Sequence, residues 1–263
     1  LTAHAQHRVE IAFELRRALE QQELRVYYQP VHDLQFSRLV GVEALVRWQH
    51  PQRGLVPPGE FIPIAERTGL IGEIDAWVMQ QACQQMCAWQ QAGVVLSFVA
   101  VNVSTRLFAG RELYERVAQV LHDTGLDPAF LELEVTESAV MLDPEVALEQ
   151  MHRLRELGVR LAIDDFGTGY SSLLRLKRLP VQKLKIDQGF VAGLPTDDDD
   201  AAIVRVIIAL AQSMGMQVHA EGIEHQDQAG FLLDHRCDLG QGYWFGRPMP
   251  ASELDWSRAP AIR

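Results

Sequence analysis

Short apolar runs recur along the chain, separated by longer stretches whose apolar residues return every three or four positions. This alternation limits the fold more than any other feature. Strands are predicted at Leu24–Val31, Leu39–Trp48, Leu96–Val103, Leu131–Val135, Arg160–Ile163, Lys183–Ile186, Gln217–Ala220 and Gln241–Phe245. Between them, helices are expected over Ile71–Gln91, with Ile74, Val78, Ala82, Met86 and Trp89 on one face, and over Leu107–Thr124, closed by Gly125. Further helices are expected over Pro144–Leu157, Ser171–Leu179 and Ala201–Met214. Only His32–Arg38 separates the first two strands, and a parallel crossover needs about a dozen residues, so these two should form an antiparallel hairpin. The remainder repeats β-α units, and 263 residues is close to the roughly 250 of a (β/α)8 barrel. An open doubly wound sheet is the competing architecture, weakened because no G-x-G-x-x-G follows the early strands.

No Gly/Ser-rich or Pro-rich linker divides the chain internally. Pro51–Pro63 reads as a long loop on the active face of the barrel. Residues 1–22 read as a charged amphipathic helix with Val9, Phe13, Leu15, Ala18 and Leu19 as its apolar positions, a connecting helix from an upstream module. That leaves 23–263 as the functional domain. The start at Leu1 fits a domain cut from a longer protein. Cys83, Cys87 and Cys237 suggest neither a disulfide framework nor a thiolate zinc site, so a reducing, cytoplasmic setting is the expectation. No segment reads as a transmembrane span or signal peptide.

Function is written at the carboxyl ends of the strands. In order they deliver Gln29; Glu43 and Arg47; Asn102; Glu134 and Glu137; Asp164 and Asp165; Lys185 and Asp187; Glu221 and Glu224; and Gln241. In a barrel these ends converge on the one face where catalysis sits. An Asp or Asn after a strand can simply cap the next helix, but carboxylates inside strands, as in Val42-Glu43-Ala44-Leu45 or Leu131-Glu132-Leu133-Glu134-Val135, are poor caps. Like charges gathered in a partly buried mouth need a counter-charge. Oxygen donors without His or Cys among them suit Mg²⁺ or Mn²⁺, and this many carboxylates suits two ions, the arrangement that cleaves phosphate esters. The 35 acidic residues against 24 Lys plus Arg, a net charge of −11, argue against a duplex nucleic-acid partner. An anionic ligand would need local cations.

Seven motifs in order carry a family resemblance: Glu43-Ala44-Leu45-Val46-Arg47, the Asn102 strand, Glu134-Val135-Thr136-Glu137-Ser138, Asp164-Asp165-Phe166-Gly167-Thr168-Gly169-Tyr170-Ser171-Ser172, Lys185-Ile186-Asp187, Ala220-Glu221-Gly222-Ile223-Glu224 and Gln241-Gly242-Tyr243. With Tyr27-Tyr28-Gln29-Pro30 and Arg247-Pro248-Met249-Pro250 at the ends, the sequence resembles the EAL domains of bacterial cyclic di-GMP phosphodiesterases over nearly its whole length. The resemblance implies a modified TIM (β/α)8 barrel whose first strand is antiparallel to the rest, and hydrolysis of cyclic di-GMP to linear pGpG with two Mg²⁺ or Mn²⁺ per site. It implies Glu43, Asn102, Glu134 and Asp164 as ligands of one metal, and Asp164 with Asp165 and Glu221 as ligands of the other. Lys185 would hold the attacking water and Glu221 would serve as general base, with Glu43 also essential to catalysis. Gln29, Leu45, Arg47 and Gln241 would contact substrate, Arg47 by gripping a phosphate, while Glu137 and Asp187 would anchor the loop after Asp165. A homodimer and an upstream sensory or GGDEF domain are implied partners. A non-catalytic receptor for cyclic di-GMP is the alternative; degenerate receptors typically lack a metal ligand, and here each implied ligand is present. Gln182 departs from the usual Asp of the family, away from the implied ligands.

Other features read as structural. Cys83 and Cys87 are taken as small packing residues, His219 as a buried structural histidine, Asp197–Asp200 as a helix cap with favourable dipole charges, and Gln80, Gln81, Gln84, Gln85, Gln90 and Gln91 as a solvated helix face. The segment Ala201–Met214, apolar nearly all round, should be deeply packed or partly in a dimer interface.

Overall fold

A computed structural model of the chain describes residues 3–110, 112–168 and 173–256. Among these the strands are β1 (Leu24–Asp33), β2 (Arg38–His50), β3 (Gly54–Val56), β4 (Phe98–Val103), β5 (Leu131–Thr136), β6 (Arg160–Phe166), β7 (Lys183–Ile186), β8 (Gln217–Ala220) and β9 (Leu239–Gln241). The helices are α1 (Ala3–Glu20), α2 (Pro58–Thr68), α3 (Ile71–Gln91), α4 (Thr105–Ala109), α5 (Leu113–Thr124), α6 (Glu137–Leu142), α7 (Pro144–Leu157), α8 (Leu173–Leu176), α9 (Gln188–Ala192), α10 (Asp198–Ser213) and α11 (Gln226–Asp234). The strand order β1-β9-β8-β7-β6-β5-β4-β2 closes through the β1–β2 pairing into an eight-stranded barrel, with β3 extending outward from β2. β1 is antiparallel to both its neighbours, β2 and β9, while the remaining barrel pairs are parallel. The hairpin expected from the short β1–β2 connection is present, within the modified TIM barrel that the resemblance implies.

Alternation along the strands sorts two interiors. Val99, Val101, Leu131, Leu133, Leu161, Ile163, Leu184 and Val218 face outward into the layer shared with the helices. Val31, Phe98, Ala100 and Leu239 form a separate small cluster inside the barrel. Gly41 belongs to this inner packing: a β-carbon there would lie 2.5 Å from the Phe98 ring, so the aromatic side chain fills the space that glycine leaves.

Several expectations are corrected. The presumed loop Pro51–Pro63 holds β3 and the start of α2, because Phe61, Ile64 and Ala65 recur at helical spacing and are buried, offsetting the hydrogen bond that Pro63 gives up inside the helix. The single helix over Leu107–Thr124 is two, α4 and α5, since Gly110 takes extended backbone (φ −77°, ψ 148°) at the end of α4. The last strand ends at Gln241 rather than running to Phe245. At Gly242 the chain turns so tightly against Ile223 that a β-carbon would sit 2.2 Å from its backbone nitrogen and oxygen. Of the helix expected over Ser171–Leu179, the described part is α8; Gly169, Tyr170, Ser171 and Ser172 lie outside the described residues, as does the side chain of Val9. Among the described side chains of α1, Ile11, Leu15 and Ala18 are buried, whereas Phe13 is 72% exposed.

α1 is tied to the barrel, with Glu14 bridging His50 Nε2 (3.4 Å) and Arg53 (3.2 Å). In α10 only one face is packed, with Val204, Ile207 and Ile208 buried and Val206 66% exposed. Asp197 caps that helix, its Oδ1 accepting from the amides of Asp199 and Asp200 at 3.0 Å. Cys83 is buried, and Cys87 Sγ points to the Thr124 carbonyl at 3.6 Å. Among the described residues no helix is long and apolar enough to cross a membrane.

Candidate active site

The mouth of the barrel is organised around one cation. Lys183 and Lys185 of β7 share the inward face with Glu132 and Glu134 of β5, as residues two apart on a strand must. Lys185 Nζ, fully buried, is ion-paired to Glu134 Oε2, to Glu221 Oε1 (2.6 Å), to Asp164 Oδ1 (3.4 Å) and to Glu43 Oε2 (3.9 Å). Both Glu43 oxygens also accept hydrogen bonds, Oε1 from Asn102 Nδ2 and Oε2 from Gln241 Nε2, each at 2.6 Å. Gln241 Nε2 donates as well to Gln29 Oε1 (2.9 Å), and Gln29 Nε2 donates to the Gly246 carbonyl (3.1 Å).

On β6 the alternation is deliberately broken. A regular strand would send Asp164 and Asp165 to opposite faces, but Asp165 takes the left-handed conformation (φ 53°), and the β6–β7 register shifts between Ile163 and Phe166. One carboxylate oxygen from each of Asp164, Asp165 and Glu221 therefore lies within 4.8 Å of the others. The Asp165 amide donates to Asp164 Oδ1 (2.9 Å), fixing the pair. These three form one all-oxygen cluster; Glu43, held by Asn102, and Glu134 also meet Lys185. Glu134 Oε1 is buried with no hydrogen-bond partner. An uncompensated oxygen beside three convergent carboxylates fits a hard divalent cation such as Mg²⁺ or Mn²⁺ and offers nothing soft for zinc.

The electrostatics follow from this crowding. Burial pushes Glu134 well above the usual carboxylate range, with Glu43, Asp164 and Glu132 adding to the rise and Lys185 opposing it. Burial, then Asp164 and Glu43, push Glu221 up to about 8 against the pull of Lys185. Asp165 is raised by burial and by Asp164 and Asp187. Burial works against the charge on Lys185, but Asp164, Glu134, Glu221 and Glu43 outweigh it and hold the ammonium firmly protonated. His219, fully buried two residues before Glu221, is held well below its ordinary value by burial and by Lys183 and Lys185, in keeping with a neutral structural ring.

Two cavities meet at Leu45 and Arg47. One, of about 340 Å³, borders Glu43, Glu221, Gln241 and Tyr243; the other, of about 290 Å³ and largely apolar, borders Ile62, Asp75 and Asn102. Asp75 escaped the reading of the sequence. It stands on the buried face of α3, 7% exposed, accepts the Ser104 amide at 3.0 Å and is pushed by burial to about 6. The available signal was an acid between Ile74 and Trp77 on an otherwise apolar helix face. Glu137 Oε2 accepts from the Gly167 amide (3.1 Å), holding the described part of the loop from outside, and Thr168 Oγ1 donates to the Asp165 carbonyl (2.8 Å) within it. Asp187 caps α9 through the Gly189 amide (2.9 Å) and stands beside Asp165. Gln182 accepts the Leu161 amide between β6 and β7, away from this cluster.

A family model described as EAL domain matches residues 13–248. The chain belongs to the EAL domain family. A Pseudomonas aeruginosa relative named bifunctional diguanylate cyclase/cyclic di-GMP phosphodiesterase MucR is 46% identical over 254 residues, 97% of this chain and 37% of the relative. From the same organism, cyclic di-GMP phosphodiesterase NbdA is 42% identical over 255 residues, 97% of this chain and 33% of that one. This EAL domain thus spans about a third of the length of these relatives. A solved structure titled PaMucR phosphodiesterase, c-di-GMP complex, superposes with a TM-score of 0.91 at 47% identity, covering 94% of this chain and all of that one. The FimX EAL domain of Pseudomonas aeruginosa, bound to c-di-GMP, superposes with a TM-score of 0.84 at 27% identity, covering 94% of this chain and 99% of that one.

Proposed function

We propose that this EAL domain hydrolyses one phosphodiester bond of cyclic di-GMP and releases linear pGpG, using two Mg²⁺ or Mn²⁺ ions. The observation that carries the reading is the convergence of Asp164, Asp165 and Glu221 within 4.8 Å of one another at the edge of a 340 Å³ pocket. MucR and NbdA, whose names state cyclic di-GMP phosphodiesterase activity, support the hydrolysis across 97% of the chain. Asp164, Asp165 and Glu221 would hold one ion, and Glu43, Asn102, Glu134 and Asp164 the other. When bound, such ions activate water and stabilise charge at phosphorus.

The chain's own groups do the rest. Lys185 sets a fixed positive charge between the carboxylates, where it orients the attacking water. Glu221, at the rim of that cluster, accepts the proton. Arg47, shared by both cavities, grips a phosphate. The two cavities give a dinucleotide one lobe for each half: Asp75, in the apolar lobe, accepts from the guanine edge, and Tyr243 borders the other lobe. Gln29 and Gln241 fix Glu43 in place. In the whole protein, residues 1–22 continue a connecting helix from an upstream sensory or GGDEF module, and residues 23–263 form the catalytic domain, which works as a homodimer in the cytoplasm.

Purified domain with Mg²⁺ or Mn²⁺ should convert cyclic di-GMP to pGpG, followed by chromatography of the nucleotides, and Glu43→Ala should abolish turnover. Tight binding with no pGpG after hours would overturn the reading in favour of a receptor.

A further inference from the structure

Beneath the mouth, one pleat step down, lies a second buried ion pair. Lys183 Nζ contacts Glu132 Oε1 at 2.5 Å, with the two side chains 1% and 3% exposed, and lies 3.8 Å from the centre of the Phe98 ring. The Phe98 ring occupies the space left by Gly41. The fully buried Ala162 of β6 stands between β5 and β7 and leaves room for the two side chains to meet. Lys183–Glu132 therefore repeats the geometry of Lys185–Glu134, about 6–7 Å deeper in the barrel.

We propose that Lys183 and Glu132 are positioning residues for Lys185: each occupies the partner that would otherwise draw the upper pair out of the mouth. A carboxylate left buried without its counter-ion is strongly destabilising and attracts any cation within reach. If Lys183 is removed, Glu132 becomes such a carboxylate, and Lys185 is the flexible cation one step above it. If Glu132 is removed, Lys183 has Glu134 within one step and competes with Lys185 for it. Either loss shifts Lys185 away from Asp164 and Glu221. The inference rests on the proposed hydrolysis for its kinetic consequence but not for its structural one.

The test is a charge cycle of Lys183→Met, Glu132→Gln and the double variant, measured by turnover and by crystal structures. A misplacement of about 1 Å can cost about a hundredfold in rate, so each single variant should lose kcat by at least about tenfold with KM changed little. The double variant, with neither stray charge, should recover most of that loss. In crystals of Lys183→Met, Lys185 Nζ should turn toward Glu132, and in the double variant it should return to Glu134 and Glu221. A purely space-filling role predicts the opposite order, with the double variant as impaired as the worse single one and Lys185 unmoved throughout; that result overturns the proposal. If Lys183→Met yields no folded protein, Glu132→Gln against the double variant decides by the same two measurements. Should wild-type protein fail to cleave cyclic di-GMP, the proposed reaction falls, while the position of Lys185 in the crystals still judges the positioning role.

Discussion

Replacing Lys185 by methionine removes the cation that the four carboxylates share while nearly keeping its volume, so the response isolates charge from packing. Four carboxylates lose their shared partner, among them Glu134, which is 1% exposed. Breaking a buried pair from one side costs about 3–5 kcal/mol. The protein can limit that cost only by protonating a carboxyl, and from an ordinary value of 4.5 this costs about 1.4 kcal/mol at pH 5.5 and about 5 kcal/mol at pH 8. The penalty of Lys185→Met in chelator should therefore be several kcal/mol at pH 8 and shrink by about 3 kcal/mol at pH 5.5. For a domain of this size, about 5 kcal/mol corresponds to a fall in Tm of roughly 10–20 °C. Urea unfolding at the two pH values, with chelator and again with Mg²⁺, measures it, and Mg²⁺ should reduce the pH 8 penalty by replacing the lost charge. Turnover should fall by about 10²–10³, the usual loss when a preorganised electrostatic group is removed. A penalty equal at both pH values would mean that Lys185 acts by packing, and unchanged kcat would refute its place in the chemistry.

Two further predictions test neighbouring features. Gly41→Ala forces a methyl group against the Phe98 ring, where a β-carbon has only 2.5 Å; overpacking of this kind costs about 1–3 kcal/mol, and denaturant unfolding should show it, with Phe98→Leu in the same chain relieving part of the loss. Glu221 is raised in the folded, metal-free protein from 4.5 to about 8, so its contribution to stability is complete below pH 4.5 and is lost as pH rises to 8. The metal-free Tm should therefore decline across that window, Glu221→Gln should flatten the decline, and a slope unchanged in the variant would show that Glu221 is not the responsible group.

How much of this site could be read in advance depends on which interactions are local. Strand β7 and helices α3 and α7 fall where periodicity puts them, because each carries a complete inward or outward pattern within its own residues. Asp164 and Asp165 are legible as a motif but not as a shared site. Adjacent strand residues point apart, and only the left-handed backbone of Asp165 brings both carboxylates to one side. Glu137 reaches Gly167 across 30 residues, and Asp75 reaches Ser104 across 29; neither contact leaves a trace in local spacing. α2 was hidden by its prolines, which read as loop although Phe61, Ile64 and Ala65 keep a helical face.

The pairing of the two lysines shows where sequence pattern stops and architecture begins. Period two places Lys183, Lys185, Glu132 and Glu134 inside the barrel, but it does not say which lysine meets which glutamate. Hydrogen-bond register sets Glu134 beside Ala162 and Ala162 beside Lys183, so a flat sheet would pair Lys183 with Glu134. The observed partners are Glu132 for Lys183 and Glu134 for Lys185, displaced by two residues. Crossing two strand spacings of about 4.8 Å at a tilt of about 36° shifts the level by about 7 Å, which is two residues of strand. Barrel closure therefore assigns Lys185 to the mouth and Lys183 to the floor. An acidic excess of 35 against 24 then has a spatial meaning: the floor pair is matched one to one within the chain, while the four carboxylates around Lys185 outnumber that lysine at the mouth.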